Sequence, residues 1–145
     1  MAPSRSSHRI RVSLSVLAAV LCVGVALIHI DDQGGLTAFD DPDWMGWGYR
    51  LLEVSSVVVA LALLALPKRL PVPCWLAAFL IGIGPLSGFL LTRTVGLPGD
   101  HDDIGNWGPL GVSSLFVEGT LILVALFMLR GELPSRAPST TATPA

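Results

Sequence analysis

Two glutamates stand inside long apolar stretches of this 145-residue chain: Glu53 within Leu51 to Pro67, and Glu118 within Val112 to Leu129. An ionisable group in such a stretch costs about 2.5–3.5 kcal/mol on membrane-insertion scales, so it turns to the protein interior and finds a partner. Arg50, three residues before Glu53, reaches it on the same helical face. Glu118 has no basic residue within a turn. By depth its expected partner is Arg93, with His29 next. His29, Arg50, Glu53, Arg93 and Glu118 are therefore expected to form one intramembrane polar cluster. Carboxylates beside an imidazole in a low-dielectric site suit proton relay or cation binding. An interhelical hydrogen-bond network that only fixes helix order accounts for the same residue types.

A second constellation is the loop Gly99-Asp100-His101-Asp102-Asp103. Asp100, His101, Asp102 and Asp103 bring one imidazole and three carboxylates together, the ligand chemistry of a divalent metal, and Asp31 and Asp32 beside His29 belong to the same end of the chain's topology. There is no EF-hand spacing, no H-x-x-x-H and no cysteine in it, so a solvated, helix-capping loop is the simpler reading. No haem, quinone, retinal or nucleotide motif is present. The third constellation is Gly82-Ile83-Gly84-Pro85-Leu86-Ser87-Gly88, in which Gly84 and Gly88 form a G-x-x-x-G pair around Pro85. Small residues at this spacing predict close helix packing, with a kink at Pro85.

The elements that position these residues follow from apolar length. Crossing about 30 Å of hydrocarbon takes about 20 apolar residues. Four runs qualify, predicting helices at about 12–30, 42–66, 74–94 and 109–130. They form a membrane domain over 12–131, between a basic arm (1–11) and a Ser/Thr/Pro/Ala-rich disordered tail (132–145). Asp41-Pro42 and Asn106-Trp107-Gly108-Pro109 read as helix starts, with an acceptor ahead of a proline at the first helical position. Leu70-Pro71-Val72-Pro73 separates the second helix from the third. The first run exceeds the apolar core of about 7–15 residues usual in a signal peptide, so it is expected to persist as a helix.

The chain is 52% hydrophobic and 14% charged, with mean hydropathy +0.67. That excludes disorder and an ordinary soluble domain. A net charge of −2 sets nucleic acid aside as a partner. Cys22 and Cys74 are far apart in sequence and form neither a disulfide framework nor a zinc motif. Arg5, Arg9, Arg11, Lys68, Arg69, Arg130 and Arg136 collect on one side of a four-span topology and every aspartate on the other. The positive-inside rule then puts both termini in the cytoplasm and the two longer loops outside.

Helices 2 and 4 also resemble each other. Glu53 precedes Val59-Ala60-Leu61 by six residues and Glu118 precedes Val124-Ala125-Leu126 by six; each glutamate lies roughly 14–17 Å beyond its helix-opening proline. Two tandem helical hairpins with a glutamate at matching depth would give this pattern.

Leu91-Thr92-Arg93-Thr94-Val95-Gly96-Leu97-Pro98-Gly99, followed by the acidic loop and a last helix carrying Glu118, resembles a pattern in small four-helix integral membrane proteins of actinobacteria. Their histidine near the outer end of the first helix corresponds to His29. The resemblance implies the topology, a bacterial cell membrane and the candidate residues, and no particular activity. The sequence thus predicts an all-α four-transmembrane-helix bundle. Its expected role is a non-enzymatic accessory subunit or small binding or transport component. Its expected partners are the lipid bilayer and a larger membrane protein or further copies of itself. A metal- or cofactor-dependent membrane enzyme using His29, Glu53, His101 and Glu118 is the alternative.

Overall fold

Backbone amides and carbonyls have no solvent partner in hydrocarbon, so a long apolar run satisfies them as a helix. A computed structural model describes residues 5–38, 43–66, 71–98, 101 and 103–132. Among these the chain is all-helical: α1 (Arg5–Asp32), α2 (Asp43–Ala65), α3 (Pro71–Thr94) and α4 (Pro109–Glu132). All four are long and apolar enough to cross a membrane. The expected cap at Asp41-Pro42 lies outside the described residues.

Two helices start earlier than hydropathy suggests. The basic segment ahead of Val12 continues α1 back to Arg5, since nothing from there to Val12 breaks a helix. Pro71 and Pro73 open α3 instead of preceding it. A proline in the first turn removes only amides that lack an intrahelical acceptor anyway. The far ends of α1 and α3 are closed by glycines. Gly35 has a φ of 118° and donates to the Ile30 carbonyl at 2.8 Å; Gly96 has a φ of 82° and donates to the Leu91 carbonyl at 2.9 Å. Left-handed φ values at these closures favour residues without a Cβ.

α1 packs most extensively on α2 and α3 on α4; the two pairs meet chiefly along α1 and α4, and α2 touches α3 least of the neighbouring pairs. Small residues make the tightest contacts. Ala18, Cys22, Ala78 and Ala125 are fully buried, with Leu63 and Leu121 filling the space between them. Large apolar side chains such as Phe116, Leu123, Phe127 and Val20 point outward. That inversion suits a bundle surrounded by lipid, where close helix approach and not water exclusion holds the helices together.

The glycines mark where that approach is closest. A methyl added at Gly82 would lie 2.8 Å from Ile122 Cγ1 and 3.0 Å from the Glu118 carbonyl, and one at Gly111 would collide with the Phe89 ring. These two positions seat α3 against α4. Gly84 and Gly88, expected to mediate packing, do not: a methyl at either meets nothing within 4 Å. They lie on the face of α3 that borders a cleft towards α2, along with Pro85. Pro85 leaves α3 continuous.

Candidate functional site

Glu118 is fully buried near the middle of α4. Its Oε1 lies 3.2 Å from His29 Nε2 and accepts a hydrogen bond from Ser114 Oγ at 3.0 Å. Ser114 is one turn earlier on the same helix, so α4 supplies the carboxylate with a local donor while α1 supplies the imidazole. Glu53, also buried, is held differently. Arg50 Nη1 donates to its Oε2 at 2.6 Å, the i, i+3 pair expected from spacing. Gln33 Nε2 donates to its Oε1 at 2.6 Å and to the His29 carbonyl at 3.2 Å. Arg50 extends the network to the α1–α2 connection through the Gly35 and Ala38 carbonyls. The His29 ring lies 5.4 Å from the Tyr49 ring, tilted at 42°.

Gln33 is the member that sequence reasoning missed. With the first helix expected to end at Ile30, it read as a loop residue. The backbone turn in fact runs through it, with Gln33 N donating to the His29 carbonyl at 3.2 Å, so Gln33 stacks one turn beyond His29. An i, i+4 polar pair at the end of an apolar run was the signal that could have found it.

Arg93 is not the partner of Glu118. Its guanidinium pairs with Asp103, donates to the Asp103 carbonyl at 3.4 Å and lies 5.0 Å from the centre of the Phe89 ring. The α3–α4 connection folds back to meet it, with Gly105 N donating to the Arg93 carbonyl at 2.9 Å. Glu118 sits deeper, and the imidazole of α1 reaches it first. Of the acidic loop, Asp100 and Asp102 lie outside the described residues. His101 is exposed and rests against Gly96, while the Asp103 carboxylate is engaged by Arg93. Among the described residues no group of three or more His, Cys, Asp or Glu is placed to hold a metal ion.

Charge is balanced pair by pair. Glu53 has Arg50, and Asp103 has Arg93. Among the described residues, the ionisable side chain that reaches Glu118 is the His29 imidazole. Among the described residues, five buried side-chain atoms have no hydrogen-bond partner: His29 Nδ1, Gln33 Oε1, Ser56 Oγ, Arg93 Nε and Glu118 Oε2. Buried polar atoms are paired in the great majority of cases, so a group of exceptions in one region marks it.

His29 and Arg93 both border the cleft between α2 and α3, which has a volume of about 490 Å³. Its walls are mostly apolar, with Met45, Leu52, Ile81 and Phe89 among them. Gly48 on α2 and Gly84 and Gly88 on α3 keep it wide, since a methyl at any of the three meets nothing within 4 Å. A second cavity of about 430 Å³ lies at the opposite end, between Ser15, Trp75 and the Arg11–Glu132 ion pair. Comparison with protein-family models, curated proteins and solved structures finds no match for this chain.

Proposed function

We propose that the chain is a non-enzymatic, multi-pass component of a bacterial cell membrane, with both termini cytoplasmic, that binds a small molecule in the cleft between α2 and α3. The observation that carries this reading is the mostly apolar cleft itself, bordered by the polar residues His29 and Arg93 and left open by Gly48, Gly84 and Gly88. A cleft of about 490 Å³ falls within the roughly 300–1,000 Å³ usual for small-molecule sites. Convergent polar groups in an otherwise apolar pocket are the general pattern of such sites. His29, held by Glu118, stands at its edge. The actinobacterial resemblance and the charge asymmetry support the localisation and orientation.

Solvent extraction of the purified protein followed by mass spectrometry tests the reading. Wild type is expected to release one small molecule in near-stoichiometric amount. Glu118→Gln, which keeps hydrogen bonding but removes the carboxylate, is expected to fold, at a small cost in stability, and to carry less of it. A folded Glu118→Gln protein with wild-type content, or wild type with no bound molecule, contradicts the proposal. A stoichiometric larger membrane protein in place of a small molecule favours the accessory-subunit reading.

A further inference from the structure

The cavity of about 430 Å³ at the opposite end of the bundle is walled by all four helices and shares no residue with the α2–α3 cleft. Two hydrogen-bonding side chains on its wall are unused. Ser15 is 6% and Trp75 1% exposed, and among the described residues neither Ser15 Oγ nor Trp75 Nε1 makes a hydrogen bond. Neither atom is among the five buried ones sealed from solvent, so the small surface each residue retains includes its polar atom. That surface opens into the cavity both residues line. Polar groups this deep are paired in the great majority of cases, so two left open on one wall mark a place where a ligand supplies the partner.

An indole N–H only donates, and a serine hydroxyl donates as readily as it accepts. Arg11 on the rim, its side chain 52% exposed, carries further N–H groups beyond the one given to Glu132. Glu132 is the acid of this rim, and Arg11 occupies it. The group that completes the wall is therefore an acceptor of several hydrogen bonds. Charge sets its sign. Among the described residues Arg9, Arg11 and Arg130 stand at this end against Glu132. The first turn of α3, where Pro71 borders the cavity, adds the positive end of a helix dipole. The cavity also reaches the lipid-facing surface, where Val12, Val16 and Leu64 on its rim are 48%, 47% and 54% exposed.

From these observations we infer that the cavity at the Arg11–Glu132 end binds the phosphodiester headgroup of an anionic phospholipid. The phosphate oxygens accept from Ser15 Oγ, Trp75 Nε1 and Arg11, and the acyl chains run over Val12, Val16 and Leu64. Basic pockets between spanning helices hold anionic headgroups by the same chemistry. The site stands apart from the α2–α3 cleft, so either can fail without the other.

Titration of the delipidated full chain in detergent provides the test, read by native mass spectrometry and by the unfolding temperature. Four probes are used: phosphatidylglycerol, phosphatidylethanolamine and phosphatidylcholine with the same acyl chains, and inorganic phosphate. One phosphatidylglycerol is expected to bind saturably and to raise the unfolding temperature, at lower concentration than either zwitterionic lipid. Ser15→Ala and Trp75→Phe are each expected to raise its half-saturating concentration about two- to tenfold, the worth of one hydrogen bond, and to leave phosphatidylcholine binding unchanged. Ser15→Ala removes an unpaired hydroxyl, so without lipid it is expected to unfold no lower than wild type, and it serves where Trp75→Phe folds poorly. Equal binding of the three lipids overturns the headgroup class. Phosphatidylglycerol binding that Ser15→Ala leaves unchanged overturns the placement. Stabilisation by inorganic phosphate to the same extent overturns the lipid as the source of the anion, and no saturable binding of any probe overturns the site.

Discussion

Among the described residues Glu118 hydrogen-bonds with two side chains, His29 and Ser114, and no basic residue stands within a turn of it on its own helix. Replacing it with alanine leaves an imidazole nitrogen and a buried hydroxyl without their partner, which costs about 1–3 kcal/mol. Glu118→Ala is therefore expected to unfold at lower denaturant than wild type, by that amount in an equilibrium titration, with Glu118→Gln losing less. Gln33→Leu removes the amide that joins Glu53 to the His29 carbonyl and is expected to cost about the same. An unchanged midpoint for Gln33→Leu contradicts the placement of Gln33 in the network. At this scale the sequence was partly legible. Arg50 with Glu53 followed from i, i+3 spacing, because one helix fixes both residues. Arg93 with Asp103 did not, because that pair depends on how the α3–α4 connection folds back. His29 with Glu118 depends on which faces of α1 and α4 meet, a matter of packing that ranked second on depth alone.

Among the helices, α3 is where spacing misleads most. Three glycines lie within seven residues, and the G-x-x-x-G spacing selects Gly84 and Gly88. Contact with α4 is made instead by Gly82, because the face of a helix that meets its neighbour is set by the whole bundle. The two kinds of glycine respond oppositely to one methyl. Gly82→Ala presses on Ile122 and on the Glu118 backbone and is expected to destabilise. Gly84→Ala enters open space and is expected to stabilise by about 0.5–1 kcal/mol, the helical cost of glycine relative to alanine. Unfolding titrations of the two variants side by side check this, and equal effects contradict the assignment of the packing face. Helix existence was readable from apolar length. Helix ends were less so: prolines that read as a separator open α3, and α1 continues past Ile30 to include the turn that carries Gln33.

For the whole molecule, hydropathy and charge distribution carry the membrane assignment, while the cleft is visible only once four helices are placed. It exists because α2 meets α3 less closely than α1 meets α2 or α3 meets α4, and no single helix encodes that difference. The charge asymmetry predicts that a reporter fused after residue 145 is fluorescent as a cytoplasmic protein and inactive as an exported phosphatase. One inserted at 99–102 is expected to behave the other way round. Reversal of that pattern contradicts the orientation.

Native mass spectrometry of the purified protein tests most directly the proposal that the cleft between α2 and α3 holds a ligand. Wild-type protein is expected to carry one adduct of defined mass that Gly84→Leu, with its side chain projecting into the cleft, no longer carries. Wild type without an adduct, or an adduct that Gly84→Leu retains in full, contradicts it.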